Sequence, residues 1–422
     1  MNKKFKKIVA LVLISVLSLS LLGGCGSVAS TKENATTGEK TKVQLWHYFS
    51  ATNQEVLEKM ITGFNASQDK VEVIPTYIAR ADLMKQYTMG AISGELPDIG
   101  MVDSPDMASF IQMGVFQDIT DLTTKWGELD NFYKGPLDSC TSDGKIYGLP
   151  QNTNCLAIYY NLDLFKKAGL TEADVPKTWD ELYTVSKKLT TAGTYGFAFC
   201  AKGTEEGTFS YIPWLYSAGA DIKTLSSTKA ISSMKFLTKL VQEGIVSKEV
   251  VNWGQTEVRD AFIAGKAAIM QNGSWQITTL NKLSTEGTLG FEYGCAYLPK
   301  DQMNASVIGG ENFGICSDKN KEASFEFFKY MMGKDGNAEF NFAAGKFPTR
   351  SDSMATQAIW TTDKNYKVFT ESMKFAVTRG PHAEWPVISE GLYTALQASL
   401  LGEKTPEQAM KDAATKAATV LK

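Results

Sequence analysis

The sequence has very few histidines and no regular set of cysteines. Among its 422 residues are two histidines, His47 and His382, and six cysteines at irregular spacing. The common zinc sites need His or Cys ligands close together, so the sequence gives no support for a metal site. One cysteine, Cys25, belongs to the N-terminal pattern described below, and an odd number of widely spaced cysteines is not a disulfide framework. We predict that the other five are buried, reduced thiols: Cys140, Cys155, Cys200, Cys295 and Cys316.

The sequence also lacks the signatures of several enzyme and binding classes. There is no G-x-S-x-G around any serine, no P-loop and no dinucleotide fingerprint, so no catalytic residues and no cofactor are predicted. The formal net charge of -3 gives no reason to expect nucleic-acid binding. After the first 24 residues, no apolar run is long enough to span a bilayer.

The first residues read as a targeting segment rather than as part of the fold. Lysines at 3, 4, 6 and 7 precede an apolar run, which predicts a signal peptide over 1–24. The stretch Leu22-Gly23-Gly24-Cys25 resembles a bacterial lipobox, which implies cleavage before Cys25 and lipid attachment to its sulfur. The alternative is a plain signal peptide with an incidental cysteine. Residues 25–41 are polar and unpatterned, which predicts a flexible tether.

From residue 43 onward, strand and helix patterns alternate. Val43–Trp46 reads as a strand, followed by a helix that Thr52 and Asn53 are placed to cap, and 71–74 reads as the next strand. A helix ending near Gly94 and a strand over 98–102 complete a βαβαβ unit, which predicts an α/β fold with a parallel sheet. Ligands bind beyond the carboxyl ends of such strands, where the aromatic run "WHYF" (46–49) and Asp103 lie.

Several longer stretches carry a family resemblance. "ELPDIGMVDSPDMASFIQMGVFQDI", "DGKIYGLPQNTNCLAIYYNLDLFKKAGL", "FIAGKAAIMQNGSW", "GGENFGI" and "GEKTPEQAMKDAA" are similar to the carbohydrate-specific family of extracellular solute-binding proteins, the receptors of ABC importers. The resemblance implies two α/β lobes with the ligand cleft between them. It places crossovers near 149–154, 308–312 and 347–350, so that 42–150 with 310–347 form one lobe and 151–309 with 348–422 form the other.

A sugar offers apolar faces and a hydroxyl-rich edge, so its site needs aromatic surfaces and planar polar groups. Asp103 follows a buried strand, where an acid gains nothing from packing. Tyr48, Ser50 and the tryptophan of "NGSWQI" match ligand positions in the family, and Arg379 matches one in its glycerol-3-phosphate branch. Packing remains the alternative for the tryptophans, and structural ion pairs for the arginines. The predicted ligand-binding residues are Tyr48, Ser50, Asp103, Gln151, Asn152, Asn154, Trp214, Trp253, Ser274, Trp275, Gly310, Glu311, Arg350, Arg379 and Trp385.

The resemblance implies a monomeric, lipid-anchored receptor that captures a carbohydrate by lobe closure and delivers it to an ABC permease. The alternative in the same class is a receptor for glycerol-3-phosphate or a glycerophosphodiester. Phe347 stands where that branch tends to carry a tyrosine, which favours the neutral sugar. A surface glycosidase using Asp103 and Glu311, and a receptor that only senses its ligand, are the remaining alternatives.

Overall fold

The computed structural model describes residues 39–379 and 382–421. The predicted signal peptide, the lipidation site at Cys25 and most of the predicted tether lie outside the described residues. Strand β1 begins at Thr41, two residues earlier than the sequence pattern indicated and within the range assigned to the tether. None of the helices in the described part of the chain is long and apolar enough to cross a membrane.

The strands of the described chain are short, and most are buried. In chain order they are β1 Thr41–His47, β2 Val71–Tyr77, β3 Ile99–Asp103, β4 Thr141–Ser142, β5 Lys145–Ile146, β6 Gly148–Pro150, β7 Leu156–Asn161, β8 Tyr195–Ala198, β9 Ala267–Gly273, β10 Tyr293–Ala296, β11 Ser306–Val307, β12 Glu311–Ile315 and β13 Ala376–Val377.

Helices connect and cover these strands. They are α1 Ala51–Ser67, α2 Arg80–Ser93, α3 Met107–Gln112, α4 Thr120–Trp126, α5 Lys134–Asp138, α6 Leu162–Lys167, α7 Trp179–Leu189, α8 Glu205–Ser217, α9 Thr228–Gln242, α10 Gln255–Ile263, α11 Gln276–Thr285, α12 Lys321–Met332, α13 Lys334–Ala344, α14 Ser351–Met354, α15 Ile359–Thr362, α16 Lys364–Ser372, α17 Trp385–Leu400 and α18 Pro406–Ala418. Short 3-10 turns include Ser104–Asp106, directly after β3.

The first lobe is built on a five-stranded sheet of order β2-β1-β3-β12-β6. β1 pairs in parallel with β2 and with β3, so the predicted βαβαβ unit is confirmed. β12 runs antiparallel between β3 and β6. Helix α2 ends where expected, because Gly94 has φ 75° and adopts the left-handed conformation that closes a helix. Buried side chains from α1, α12 and α13 cover the sheet.

The second lobe is built on a four-stranded sheet of order β10-β7-β9-β8. Every residue of β7 and of β9 is buried, because helices or loops cover both faces of the sheet. One apolar cluster joins this sheet to α7, α8, α9, α17 and α18. A second cluster joins it to α10, α11 and α16. The α/β class with two lobes is therefore as predicted.

The three predicted crossovers lie side by side and hydrogen-bond to one another. Thr153 and Phe347 exchange two backbone hydrogen bonds of 2.9 Å. Asn154 and Gly309 exchange bonds of 3.0 and 2.9 Å. The segment predicted as the first crossover therefore runs between the segments predicted as the other two.

The N-cap of α1 differs from the sequence prediction, whereas the cysteines agree with it. Helix α1 begins at Ala51 with Ser50 at the N-cap position, so Thr52 and Asn53 lie inside the first turn and the predicted caps are wrong. The five cysteines of the described chain are free and buried, as predicted. Burial raises the pKa of the Cys155 thiol to about 12.

Candidate ligand-binding cleft

A cavity of about 590 Å³ lies between the two lobes. Its first-lobe wall comes from the segments that follow β1, β2 and β3, which is the edge where the parallel sheet was expected to bind a ligand. Its second-lobe wall comes from the segment after β9 and from α8, α10 and α17. Residues in or next to the predicted crossovers also line the cavity, among them Asn154, Gly310 and Glu311. A volume of this size is within the range of small-molecule sites.

The first-lobe wall carries Tyr48 and Arg80. The Arg80 guanidinium lies 5.4 Å from the centre of the Tyr48 ring. The Tyr48 hydroxyl is 3.5 Å from Glu311 Oε1 on the second crossover. Burial and the negative charges of Glu311 and Asp103 raise the pKa of Tyr48 well above its ordinary value. The hydroxyl therefore stays protonated and can donate a hydrogen bond to a ligand oxygen.

The second-lobe wall carries the aromatic pair Trp275 and Phe209. Their ring centres are 6.5 Å apart, and their planes are inclined by 24°. The Trp275 ring sits against Gly273 at the end of β9, where any Cβ would overlap it. Tyr159 fixes this turn, because its hydroxyl donates to the Gly273 carbonyl over 2.6 Å. The end of β9 therefore fixes the position of the Trp275 ring, which presents a large flat surface to the cavity.

A network of charged side chains joins the two lobes at the cavity. Arg379 donates to both oxygens of Asp103, at 2.8 and 2.9 Å, and to Glu205 over 2.6 Å. Arg80 reaches Asp103 over 2.5 Å. Asp103 ends β3 of the first lobe, and Glu205 opens α8 of the second. The network therefore links the lobes through one arginine.

The surroundings hold this network in place. Glu205 accepts hydrogen bonds from Trp385 Nε1, over 3.0 Å, and from the Ser389 hydroxyl. Burial alone would raise the pKa of Asp103, but the charges of Arg379 and Arg80 outweigh it and hold that pKa below its usual value. Asp103 is therefore ionised at neutral pH.

A second ion pair belongs to the later crossovers. Lys346 Nζ lies 2.6 Å from Glu311 Oε2 and 4.3 Å from the centre of the Phe49 ring. Burial lowers the pKa of Lys346, although Glu311 opposes that change. Gly310, beside Glu311, has φ 149°, a conformation that L side chains rarely adopt, and a Cβ there would overlap the Asn152 carbonyl.

The structure brings eight of the predicted site residues together at the cavity. They are Tyr48, Ser50, Asp103, Asn154, Trp275, Gly310, Glu311 and Arg379. They come from six segments of sequence that are far apart, and the crossovers and strand ends place them on one surface.

The other predicted site residues lie elsewhere in the fold. Trp214 is in the second-lobe core and donates to Gln271 over 2.9 Å, and Trp253 packs against both clusters of that lobe. Arg350 is buried and bonds to Glu128 and Asp352 over 2.7 and 2.8 Å.

Four more are buried beside the crossovers or behind the cavity wall. The Gln151 carbonyl accepts from Asn337 and Asn341. The remaining three are Asn152, which lines a small separate cavity of about 40 Å³, Ser274, which is fully buried, and Trp385, which orients Glu205.

Sequence reasoning did not select several residues that line the cavity. Arg80, Asp106, Glu205, Phe209 and Lys346 are not among the predicted residues. Asp106 lies three residues after Asp103, so the strand-end argument could have included it. Nothing in the sequence distinguishes Glu205 from Glu206, since the partner of Glu205 lies 174 residues away. In the described part of the chain, no group of three or more His, Cys, Asp or Glu side chains is arranged to hold a metal ion.

Comparison with known proteins gives the family. The profile described as "Bacterial extracellular solute-binding protein" matches residues 59–368. The chain belongs to this family. The predicted family membership is therefore confirmed, and the protein is an extracytoplasmic solute-binding receptor by class.

Curated relatives extend the match over most of the chain. A galactooligosaccharide-binding protein of Bacillus subtilis is 23% identical over 98% of this chain and 96% of its own length. The sn-glycerol-3-phosphate-binding periplasmic protein UgpB of Agrobacterium fabrum is 24% identical over 73% of this chain and 74% of its own.

Solved structures share the two-lobed architecture. An ABC transporter solute-binding protein of Thermotoga lettingae, bound with α-D-tagatose, has a TM-score of 0.84 and 26% identity, covering 91% of this chain and 100% of its own. The maltose-bound MalE3 protein of T. maritima has a TM-score of 0.81 and 26% identity, covering 90% of this chain and 100% of its own.

Proposed function

We propose that this solute-binding protein captures an extracellular carbohydrate in the cleft and delivers it to an ABC permease. The observation that carries the proposal is the pairing of the buried cations around the cavity. Arg379 and Lys346 are both bonded to carboxylates, and Arg80 is bonded to Asp103. An anionic ligand would have to replace these carboxylates, whereas a neutral, hydroxyl-rich ligand can bind beside them.

The ligand contacts in this proposal are the eight predicted residues that line the cavity. Trp275 covers an apolar sugar face, and Tyr48, Asp103, Asn154 and Glu311 bond to hydroxyl groups at the ring edge. The galactooligosaccharide-binding relative and the sugar-bound solved structures support a carbohydrate as the ligand class.

Capture consists of lobe closure around the ligand, with no bond broken. The two moving bodies are 42–150 with 310–347 and 151–309 with 348–422, and the three crossovers are the hinge. A ligand that contacts both lobes stabilises the closed form, which the permease recognises. The receptor is a monomer, exported by the signal peptide at 1–24 and anchored by a lipid on Cys25 through the tether at 25–41.

The test is a thermal-shift screen of the chain from residue 39 against mono- and oligosaccharides, with glycerol-3-phosphate as the competing ligand. A ligand at 100 times its Kd stabilises by about 2.7 kcal/mol. With an unfolding entropy of about 2.1 cal/mol/K per residue, the melting temperature rises by about 3 °C. Trp275→Ala removes the shift, and Tyr195→Ala, an exposed aromatic at the start of β8, keeps it.

Other results decide between the alternatives. A shift with glycerol-3-phosphate or its diesters, and with no sugar, would replace the carbohydrate by the phosphate ligand that UgpB is named for. Hydrolysis of a bound oligosaccharide would overturn a purely binding role. Normal sugar uptake after deletion of the gene would favour a receptor that only senses its ligand.

A further inference from the structure

The carboxyl group of Asp106 differs from the other acids around the network. It lies in the Ser104–Asp106 turn after β3 and lines the cavity. Arg80 and Arg379, the cations nearest to it, are already bonded to Asp103 and Glu205. Among the residues that the structure describes, none forms a hydrogen bond or an ion pair with the Asp106 side chain.

The four charges that act most strongly on Asp106 already balance without it. Asp103 and Glu205 each contribute one negative charge, and Arg80 and Arg379 each contribute one positive charge. An ionised Asp106, whose side chain is partly buried, would add a third negative charge beside these two cations. Burial, together with the negative charges of Glu205 and Asp103, raises the pKa of Asp106 to about 8.

The helices nearest to Asp106, α8 and α17, contain no lysine or arginine. Helix α8 adds Glu206, whose carboxylate accepts the Gln255 N–H over 3.0 Å. Helix α17, which packs against the turn, presents Tyr393 at the cavity and carries the exposed Glu390, which pairs with Lys416. Tyr48 lies close enough for its pKa to be raised by the Asp106 charge. The other titratable groups that line the same cavity are Tyr77, Lys202, Arg259, Glu311 and Lys346, of which Arg259 is bonded to Asp260 and Lys346 to Glu311.

We propose that Asp106 contacts the captured carbohydrate as a neutral carboxylic acid and donates its O–H to a ligand oxygen. This inference rests on the proposed function. A carboxylate only accepts hydrogen bonds, whereas the neutral acid has a proton to donate. Ionisation of Asp106 therefore removes a donor from the site, and capture weakens as the pH rises.

A second group at the cavity complements this donor. Asn154 is 4% exposed, lines the same cavity, and its Oδ1 has no hydrogen-bond partner among the described residues. Buried polar atoms of this kind are normally satisfied, so this oxygen keeps an unused acceptor position beside the cavity. A ligand hydroxyl can donate to Asn154, and a ligand oxygen can accept from Asp106. That combination of groups fits a sugar rather than an anion.

The experiment measures the affinity of the chain from residue 39 for maltose, D-tagatose and a galactooligosaccharide mixture at pH 6 and pH 9. With a pKa of about 8, about one Asp106 in eleven is protonated at pH 9, so affinity falls about tenfold between the two conditions. Asp106→Asn cannot ionise. Its affinity for the sugar need not equal that of the wild type, but it is the same at pH 6 and at pH 9. Asp69→Asn, at an exposed carboxyl, keeps the wild-type slope.

Two binding results would overturn the inference alone. One is a sugar affinity that is equal at pH 6 and pH 9 in the wild type. The other is an unchanged slope in Asp106→Asn, which would assign the titration to another group, such as Lys346.

A measurement without ligand separates this failure from a failure of the proposed function. A raised native pKa makes the wild type lose stability as pH rises from about 4 to about 8, and Asp106→Asn does not share that loss. The melting temperature of Asp106→Asn minus that of the wild type should therefore increase between about pH 4 and about pH 8, and this increase is the gain to be measured. If that gain appears but no sugar binds at either pH, the proposed function fails while Asp106 is neutral as inferred. If sugars bind and the gain is absent, Asp106 is not the neutral acid.

Discussion

Replacement of Arg379 by methionine tests whether the interlobe charge network stabilises the fold. Arg379 is 4% exposed and bonds to Asp103 and Glu205. Methionine preserves an unbranched apolar side chain but leaves Asp103 with Arg80 as its one cation and Glu205 with only the hydrogen bonds from Trp385 and Ser389. Removal of one partner from a buried ion pair costs about 3–5 kcal/mol. With an unfolding entropy of about 0.8 kcal/mol/K for roughly 380 residues, the melting temperature falls by about 4–6 °C.

The assay is thermal unfolding followed by circular dichroism, without ligand, at neutral pH. Lys374→Met is the matched control, because Lys374 pairs with Glu371 near the surface, where such a pair contributes about 0–1 kcal/mol. The double variant Arg379→Met/Asp103→Asn should recover part of the melting temperature lost in Arg379→Met, because the Asp103 carboxylate that lost its partner is no longer present. A melting temperature of Arg379→Met within 1 °C of the wild type would refute the reasoning.

The same comparison has a pH signature. The pKa of Asp103 is lowered in the native state, so its stabilisation is present above the ordinary carboxyl pKa. This stabilisation is lost as the pH falls through the lowered pKa. The gap between wild type and Arg379→Met should therefore narrow below about pH 4.

Three further predictions concern close packing and thiols. Gly273→Ala should displace the Trp275 ring, change its fluorescence and weaken ligand binding, whereas Gly193→Ala, in open space, should leave both unchanged. Gly310→Ala should reduce the free energy of unfolding by about 1–3 kcal/mol and so lower the melting temperature, because the added Cβ overlaps the Asn152 carbonyl and the backbone must shift. An unchanged melting temperature would contradict this. In the chain from residue 39, Ellman's reagent should find no reactive thiol at pH 8 until denaturant exposes the buried cysteines.

The sequence predicted the fold better than the site because the signals for the fold are local. The alternation of β1, α1, β2, α2 and β3 depends on residues a few positions apart, and Gly94 ends α2 by its own backbone freedom. The N-cap of α1 was wrong by two or three residues, since Ser, Thr and Asn are all good caps and only the three-dimensional path of the chain selects one.

The site depends on partners that no local pattern records. Arg350 and Arg379 were both predicted as ligand contacts, with a structural ion pair as the alternative for each. Arg350 is buried against Glu128 and Asp352, whereas Arg379 reaches the cavity. Trp275 could be predicted because it follows a strand end. Trp385 lies at a helix start that faces inward, and it acts on the cavity only through the carboxylate it orients.

The position of β12 has a consequence for how the protein is made. This strand lies between β3 and β6, although about 160 residues separate it from β6 along the chain. Until residue 315 has emerged, the first lobe has a gap in its sheet and an unpaired edge on each side of that gap. The N-terminal half cannot complete its native sheet early, and non-local pairing of this kind is slow. Slow completion of this sheet would favour export of such an extracellular protein in an unfolded state.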